Sequence, residues 1–258
     1  MIVYFHEDFY PVYTADPAAA AGRMEAIVEA VAPYAAIRPF APATAADIEA
    51  VHTKQHIERV QRKGLYDMAA LAAGGAIQAA ETGMEEPDFA LIRPPGHHAS
   101  ADGSWGFCYF NNMAVSLHRL RSTGRVEEVF ILDFDLHFGD GTVNILGSEP
   151  WVEILNPWSR ERQAYLEEVR EALGRTTADV IAVSAGFDNH ARDWGGLLET
   201  EDYRAMGAWV HEAAVRNRGG CYGILEGGYN RAVLGENVRS FLEGLGGEES
   251  QWETANKV

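Results

Sequence analysis

A chain of 258 residues suits one large α/β domain, and an apolar content of 47% is enough for a sizeable core. With 38 acidic and 21 basic residues the net charge is -17, which argues against direct nucleic-acid binding, an activity that leaves a basic footprint. Two cysteines, Cys108 and Cys221, exclude a disulfide framework. Met1 to His6 lacks a basic region followed by a long apolar run, and no apolar run approaches a membrane span. The expectation is a soluble, cytoplasmic protein with no signal peptide and no membrane contact.

In chain order, Ile2 to Phe5 reads as a first strand and Gly22 to Ala36 as an alanine-rich helix with Pro33 near its end. Ile37 to Phe40 reads as a short strand. Thr44 to Gly64 holds one or two amphipathic helices, with Thr53 as an N-cap, and Leu65 to Gly83 is a helix of small residues fit for close packing. Asp88 to Ile92 is a strand, and Asn111 to Thr123 a helix stopped by Gly124. Glu128 to Leu132 is a buried strand, Trp151 to Leu155 another, and Arg160 to Leu173 a helix. Asp179 to Ser184 is an apolar strand. Thr200 to Asn217 is a helix, with Thr200 as its N-cap and Gly219-Gly220 as its stop. Cys221 to Leu225 is the last strand and Asn230 to Leu245 the last helix, before a polar tail from about residue 246. Strands alternating with helices predict a mostly parallel sheet covered by helices, in one domain spanning residues 1–258.

Polar clusters follow four of these strands, where open α/β sheets place their ligands. They are Arg93 to His98, Asp133 to Thr142, Ala185 to Asp188 and Glu226 to Asn230. In Asp133-Phe134-Asp135-Leu136-His137 an extended backbone puts alternate side chains on one side. Carboxylate oxygen with imidazole nitrogen suits zinc or another divalent transition metal. Asp135, His137 and Asp188 supply the three protein ligands that a catalytic zinc wants. His97 and His98 are the proton-transfer candidates, because histidine titrates near neutrality. Asp133 and Asp140 are left to fix their tautomers. Tyr229, flanked by glycine, can donate its hydroxyl to a developing oxyanion. Trp105 to Phe110 suits the wall of a narrow apolar channel.

These motifs (RPPGHH at Arg93–His98, GFCYFNN at Gly106–Asn112, DFDLHFGDGT at Asp133–Thr142, SAGFD at Ser184–Asp188 and EGGYN at Glu226–Asn230) resemble those of the zinc-dependent histone deacetylase family, including its acetylpolyamine amidohydrolase members. The resemblance runs over roughly residues 1 to 245. It implies a three-layer, arginase/deacetylase-like α/β fold with a central parallel sheet. It implies Asp135, His137 and Asp188 as zinc ligands, with ferrous iron the alternative ion. His98 is implied as the base for the attacking water and the acid for the leaving amine, and His97 as its electrostatic partner. Asp133 is implied to orient His97, Asp140 to orient His98, and Tyr229 to hold the oxyanion. Gly106 and Phe107 match the channel wall, and Arg23 falls where the family has an arginine near the pocket floor. A potassium site on the backbone of Asp133–His137 is also implied.

The chain departs from the pattern in three places. Asp16-Pro17-Ala18 stands where the family has His-Pro-Glu. Phe138 stands where many members have a second histidine, and burial is expected for it. Between Glu149 and Tyr165 a long loop carrying a second channel aromatic is missing; Trp158 or another subunit is the expected replacement for that wall. His52 and His56, with His6, His118, His190 and His211, are assigned to structure, although His6 can edge the pocket mouth. Arg192 and Asp193 read as a solvated turn. The small-residue run at 69–76 reads as helix packing, because no phosphate-binding lysine follows it. The reading is therefore a metal-dependent deacetylase or deacylase acting on an acyl-lysine side chain or an acylated small amine such as an acylpolyamine. The acidic charge weakly favours a cationic substrate. Two alternatives are a binuclear manganese ureohydrolase on the same fold and a binding protein with a vestigial pocket. Nothing in the sequence sets the oligomeric state.

Overall fold

The computed structural model describes residues 1–247. β1 (Ile2–Tyr4) lies between β2 (Ala36–Arg38) and β3 (Asp88–Ala90). β4 (Val129–Asp133), β5 (Val152–Leu155), β6 (Val180–Ala185) and β7 (Gly220–Leu225) complete one sheet, in the order β2-β1-β3-β7-β6-β4-β5. Every registered pairing is parallel, as in Leu132 opposite Val183 and Ala90 opposite Ile224. The four strands β3, β7, β6 and β4 are neighbours at the centre, and every residue in them is buried. That is why they read as continuous apolar runs rather than alternating ones. The edge strands β2 and β5 are only partly covered.

The described helices are α1 (Arg23–Val31), α2 (Ala45–Glu49), α3 (Lys54–Arg62), α4 (Tyr66–Gly83), α5 (Asn112–Ser122), α6 (Asp140–Leu146), α7 (Arg162–Arg175), α8 (Thr200–Asn217) and α9 (Arg231–Leu245). They flank the sheet, and the main core runs through strands and helices alike, from Val3 to Leu245. α8 and α9 pack closely because glycines meet backbone. A Cβ on Gly244 would stand 2.0 Å from the Arg204 carbonyl oxygen, and one on Gly207 2.3 Å from that of Phe241. Thr53 caps α3, its hydroxyl accepting from the His56 N–H at 3.3 Å, as the sequence predicts.

Expectations about elements differ from the structure at four points. α1 ends at Val31, short of Ala36, and β2 begins at Ala36 rather than Ile37. Thr200 is the first residue of α8, not its cap; the cap position is Glu199, whose N–H donates to Asp202 Oδ2 at 2.8 Å. α6, a helix of seven residues that starts at Asp140 between Gly139 and Gly141, is not among the predicted elements, because glycines on both sides of its first residue disfavour a helix. The polar tail lies, from residue 248, outside the described residues.

Candidate active site

The motif-bearing strands β3, β7, β6 and β4 are adjacent, so the loops at their carboxyl ends converge on one place. β4 ends on Asp133 and the loop after it carries Asp135 and His137; the one after β6 carries Asp188; the one after β7 carries Glu226 to Tyr229; the one after β3 carries His97 and His98. Among the described residues, Asp135, His137 and Asp188 form a group whose candidate ligand atoms all lie within 4.8 Å of one another. Glycines make this convergence possible. A Cβ on Gly186 would lie 1.9 Å from Asp135 Oδ2, and one on Gly227 2.8 Å from Asp188 Oδ2.

The donor set fits a cation. His137 Nδ1 stands 3.2 Å from Asp135 Oδ1 and 3.2 Å from Asp188 Oδ2. One ring nitrogen carries at most one proton, so it can serve one carboxylate and not both. Asp188 Oδ2 is buried and left without a hydrogen bond. Hydrogen bonds to Asp135 and Asp188 push His137 up to about 10, which measures how strongly the two carboxylates demand positive charge between them. Their remaining oxygens are taken up by backbone: Asp135 Oδ2 accepts from Gly227 N–H at 2.8 Å, and Asp188 Oδ1 from Leu136 N–H at 3.1 Å. Two carboxylates and one imidazole are a ligand set of zinc type. Of the backbone oxygens in the Asp133–His137 segment, that of Phe134 accepts from the Tyr165 hydroxyl at 3.2 Å.

The rings of His97 and His98 are tilted 39° to one another with centroids 4.0 Å apart, and each has its own carboxylate. His97 Nδ1 donates to Asp133 Oδ2 at 3.1 Å, and His98 Nδ1 to Asp140 Oδ1 at 2.7 Å. A carboxylate only accepts, so each bond places a proton on Nδ1 and leaves Nε2 toward the site. The two rings are tuned apart. Burial acts against protonation of His97, but Asp135 and Asp133 outweigh it and raise its pKa well above the ordinary value. Burial and the neighbouring His97 lower His98 to about 4. α6 contributes here, because Asp140 is its first residue.

Tyr229 follows Gly228, whose φ of 113° only glycine adopts readily. Burial, then the charges of Asp135 and Asp188, raise the phenol pKa, so Tyr229 stays protonated as a donor. The ring packs edge-on against Phe107, with centroids 6.0 Å apart. Phe107 has φ 70°, a left-handed conformation that an aromatic residue seldom takes and that turns its ring into the site. Gly106 must remain glycine, since its Cβ would stand 2.3 Å from His98 Cδ2. His97, His98, Trp105, Phe107, His137 and Tyr229 enclose a cavity of ≈ 100 Å³, to which Gly106 also contributes. Cys108, Tyr109 and Phe110, read as part of the same wall, are buried instead.

Arg23 does not line that cavity. It is buried beside Tyr229, its guanidinium carbon 5.7 Å from the ring centroid. Its Nε and Nη2 donate to the Gly228 and Glu226 carbonyls at 2.8 and 2.7 Å. Arg23 therefore holds the loop that presents Tyr229. Asp16, in the departing Asp-Pro-Ala segment, caps the turn at Pro17–Ala19, its carboxylate accepting from Ala19 N–H at 3.0 Å.

Several residues enter the site that the sequence reading left out or placed elsewhere. Asp193 is no solvated turn residue: its Oδ2 accepts from the N–H groups of Tyr229 and Asn230 at 2.8 and 2.7 Å. Trp194 stacks on Tyr229 at 4.1 Å between centroids and meets His137 edge-on at 6.1 Å. It lines the cavity, whereas Trp158, the expected replacement for a channel wall, lines a neighbouring groove. Trp105, by contrast, lines the cavity as expected of the channel wall; it also stacks on His98 at 3.8 Å and donates from Nε1 to Asp140 Oδ2 at 2.8 Å. Glu226 is fully buried, accepts from Gly96 and His97 N–H at 2.7 and 3.2 Å, and is pushed up to about 7 by burial. A carboxylate directly after an apolar strand was the available signal for Glu226; nothing local marks Asp193 or Trp194. Phe138 was expected to be buried and is 46% exposed, because it lies in the loop before α6. His52 and His56 are buried and structural. His52 Nε2 accepts from Asn111 N–H at 2.9 Å, and His56 Nε2 donates to the Tyr109 carbonyl at 2.6 Å.

The family model described as "Histone deacetylase domain" matches residues 18–168 and 157–245 of this chain. The two stretches overlap at 157–168. A "Probable deacetylase" of Methanothermobacter thermautotrophicus is 31% identical over 81% of this chain and 78% of the relative. An "Acetylpolyamine amidohydrolase" of Mycoplana ramosa is 28% identical over 85% of this chain and 75% of the relative. Among solved structures, the HDA15 HD domain superposes with a TM-score of 0.81 at 22% identity, covering 96% of this chain and 90% of that one, and shares its fold.

Proposed function

The chain belongs to the histone deacetylase family and is a hydrolase of acyl amides, and from that premise we propose that it is a zinc-dependent deacylase of acyl-lysine side chains or acylated small amines. The observation that carries this reading is the pairing of His97 with Asp133 and of His98 with Asp140, directly beside three convergent ligand atoms. Asp135, His137 and Asp188 would hold the ion. When bound there, zinc or ferrous iron supplies Lewis acidity, polarising an acyl carbonyl and acidifying water.

The chain's own groups do the rest. His98, neutral and with Nε2 free, takes the proton of the attacking water and returns it to the leaving amine. Asp140 holds the ring in that tautomer, and Trp105 covers its face against solvent. His97, bonded to Asp133 through Nδ1, is the electrostatic partner beside the negative charge that develops. Tyr229 donates its hydroxyl to the oxyanion, a contribution of about 3–4 kcal/mol where a single such donor has been removed. A binuclear ureohydrolase needs a second ligand cluster, and among the described residues only the group Asp135, His137 and Asp188 offers one.

The test is turnover of acetyl-lysine peptides and N-acetylputrescine by protein stripped of metal and reloaded with zinc. Activity is expected only after reloading and is expected to fall about a hundredfold or more in Tyr229→Phe. A Tyr229→Phe variant as fast as the parent on every substrate would end this mechanism.

A further inference from the structure

Among the described residues, six large hydrophobic side chains are exposed, and four of them, Trp105, Phe138, Trp158 and Trp194, stand on loops around the site. Trp158 is 68% exposed and Trp194 53%. Scattered exposed apolar residues are ordinary; a cluster at one mouth marks a binding surface. Trp194 is the wall common to two spaces. On one side is the ≈ 100 Å³ cavity with His97, His98 and Tyr229; on the other is a groove of ≈ 440 Å³. The groove is bounded by Leu136, Pro157, Trp158, Trp194 and Leu197, with Arg160 also in its lining. It borders Asp135 and Leu136, whose segment also carries His137 of the cavity lining, and it shares Trp194 with that cavity. Pro157 to Arg160 and Tyr165, from the 149–165 segment, form one side of the groove.

We infer that this groove is the subsite for the amine half of the substrate, and that it takes an arylalkyl or similarly bulky apolar amine rather than a linear polyamine. The inference rests on the amide-hydrolase reading above and names its substrate class. The cavity over the histidines holds only a small group, which suits the acyl carbon and its carbonyl. The amine half then extends beyond the cavity, and Trp194 is the aromatic ring shared by both spaces. In the groove it meets two indoles with free surface, and aromatic groups stack on such faces. The charges there disfavour a polyamine. Asp135 is committed to the ligand set, and the other charged side chain in the lining is Arg160. A distal ammonium in the groove thus gains no carboxylate and meets a cation. The overall charge of -17 points the other way, but contacts inside the groove outweigh a field that salt screens beyond about 10 Å.

The test uses the zinc-loaded full chain with N-acetylphenethylamine, N-acetylbutylamine and N-acetylputrescine, following amine release. Calorimetric titration with phenethylamine and with putrescine runs beside it as a readout independent of turnover. The expected result is a kcat/KM for the phenethyl amide about tenfold or more above that for N-acetylputrescine, with Trp158→Ala cutting the phenethyl-to-butyl ratio about tenfold. Phenethylamine is expected to bind more tightly than putrescine, and Trp158→Ala to weaken that binding. Preference for N-acetylputrescine, or a ratio that Trp158→Ala leaves unchanged, overturns the inference while leaving the hydrolase intact. Absence of turnover on all three amides, with Trp158-dependent phenethylamine binding retained, instead removes the hydrolase reading and keeps the groove as an aryl-amine site. A drop in solution mass on Trp158→Ala assigns the surface to contact between copies and also overturns the inference.

Discussion

At the scale of single residues, chemistry depends on groups that hold other groups. Asp193 is the clearest case, since one carboxylate oxygen receives the two backbone N–H groups that set the direction of Tyr229. Asp193→Ala should lower kcat by about tenfold to a hundredfold with a smaller change in KM, because the phenol is lost from where charge develops rather than from where substrate binds. Asp193→Asn, which keeps one acceptor oxygen, should recover most of the rate; equal loss in both variants would mean a role in folding alone. Gly186 is held to its identity by distance, because a methyl group there would lie 1.9 Å from Asp135 Oδ2. Gly186→Ala should weaken zinc binding by about tenfold to a hundredfold, as disturbance of a ligand's support does. Competition with a chromogenic chelator measures this, and an unchanged affinity would show that Asp135 does not bind the ion. That Asp135, His137 and the two histidines are candidates for one site was legible in the sequence, because each is a chemically loaded residue inside a short motif, and the structure brings them together. Asp193 and Trp194 were not, since an acid and an indole in a loop look the same whether they meet solvent or another segment.

At the scale of elements, the apolar runs and glycine stops marked the central strands correctly, and the errors fell where a local signal competes with packing. α6 was hidden by two glycines, and its first residue turned out to be the carboxylate that holds His98. β3 carries a further consequence. Asp88 is fully buried, accepts from the Ile2 N–H at 3.3 Å, and has its other oxygen without a partner. Burial pushes its carboxyl up to about 6, above the ~3.9 of an unfolded chain. Between about pH 4 and pH 6 the folded chain thus keeps a proton that the unfolded chain has released, so stability attributable to Asp88 falls as pH rises through that window and is level above it. Asp88→Asn should flatten that part of the profile and, above pH 7, be more stable than the parent by on the order of 1 kcal/mol. Urea unfolding at a series of pH values checks this, and parallel profiles for the two proteins would refute it.

At the scale of the whole molecule, the sheet is the device that assembles the site. Residues from four loops, far apart in sequence, meet because β3, β7, β6 and β4 lie side by side. An ion that binds Asp135, His137 and Asp188 therefore ties β4 to β6 and should stabilise the folded state by mass action. Zinc at about a hundred times its dissociation constant should add ~2.7 kcal/mol. The expected observation is a rise in Tm on adding zinc that chelator reverses and that Asp188→Asn lacks. A rise of the same size in that variant would place the ion elsewhere.

The sequence alone determined the alternation of strands and helices, the position of each motif at a strand end, and the chemical identity of the metal-type ligands and their histidine partners. These follow from local periodicity and from residue type, which a linear reading contains. Tertiary structure decided the order of the strands, and with it which loops are neighbours. It decided that Arg23 supports the Tyr229 loop rather than lining the cavity, that Asp193 orients it, and that Trp194 closes one wall and opens on a groove. Each of these depends on contacts between segments far apart in the chain, and no local pattern encodes the distance between them.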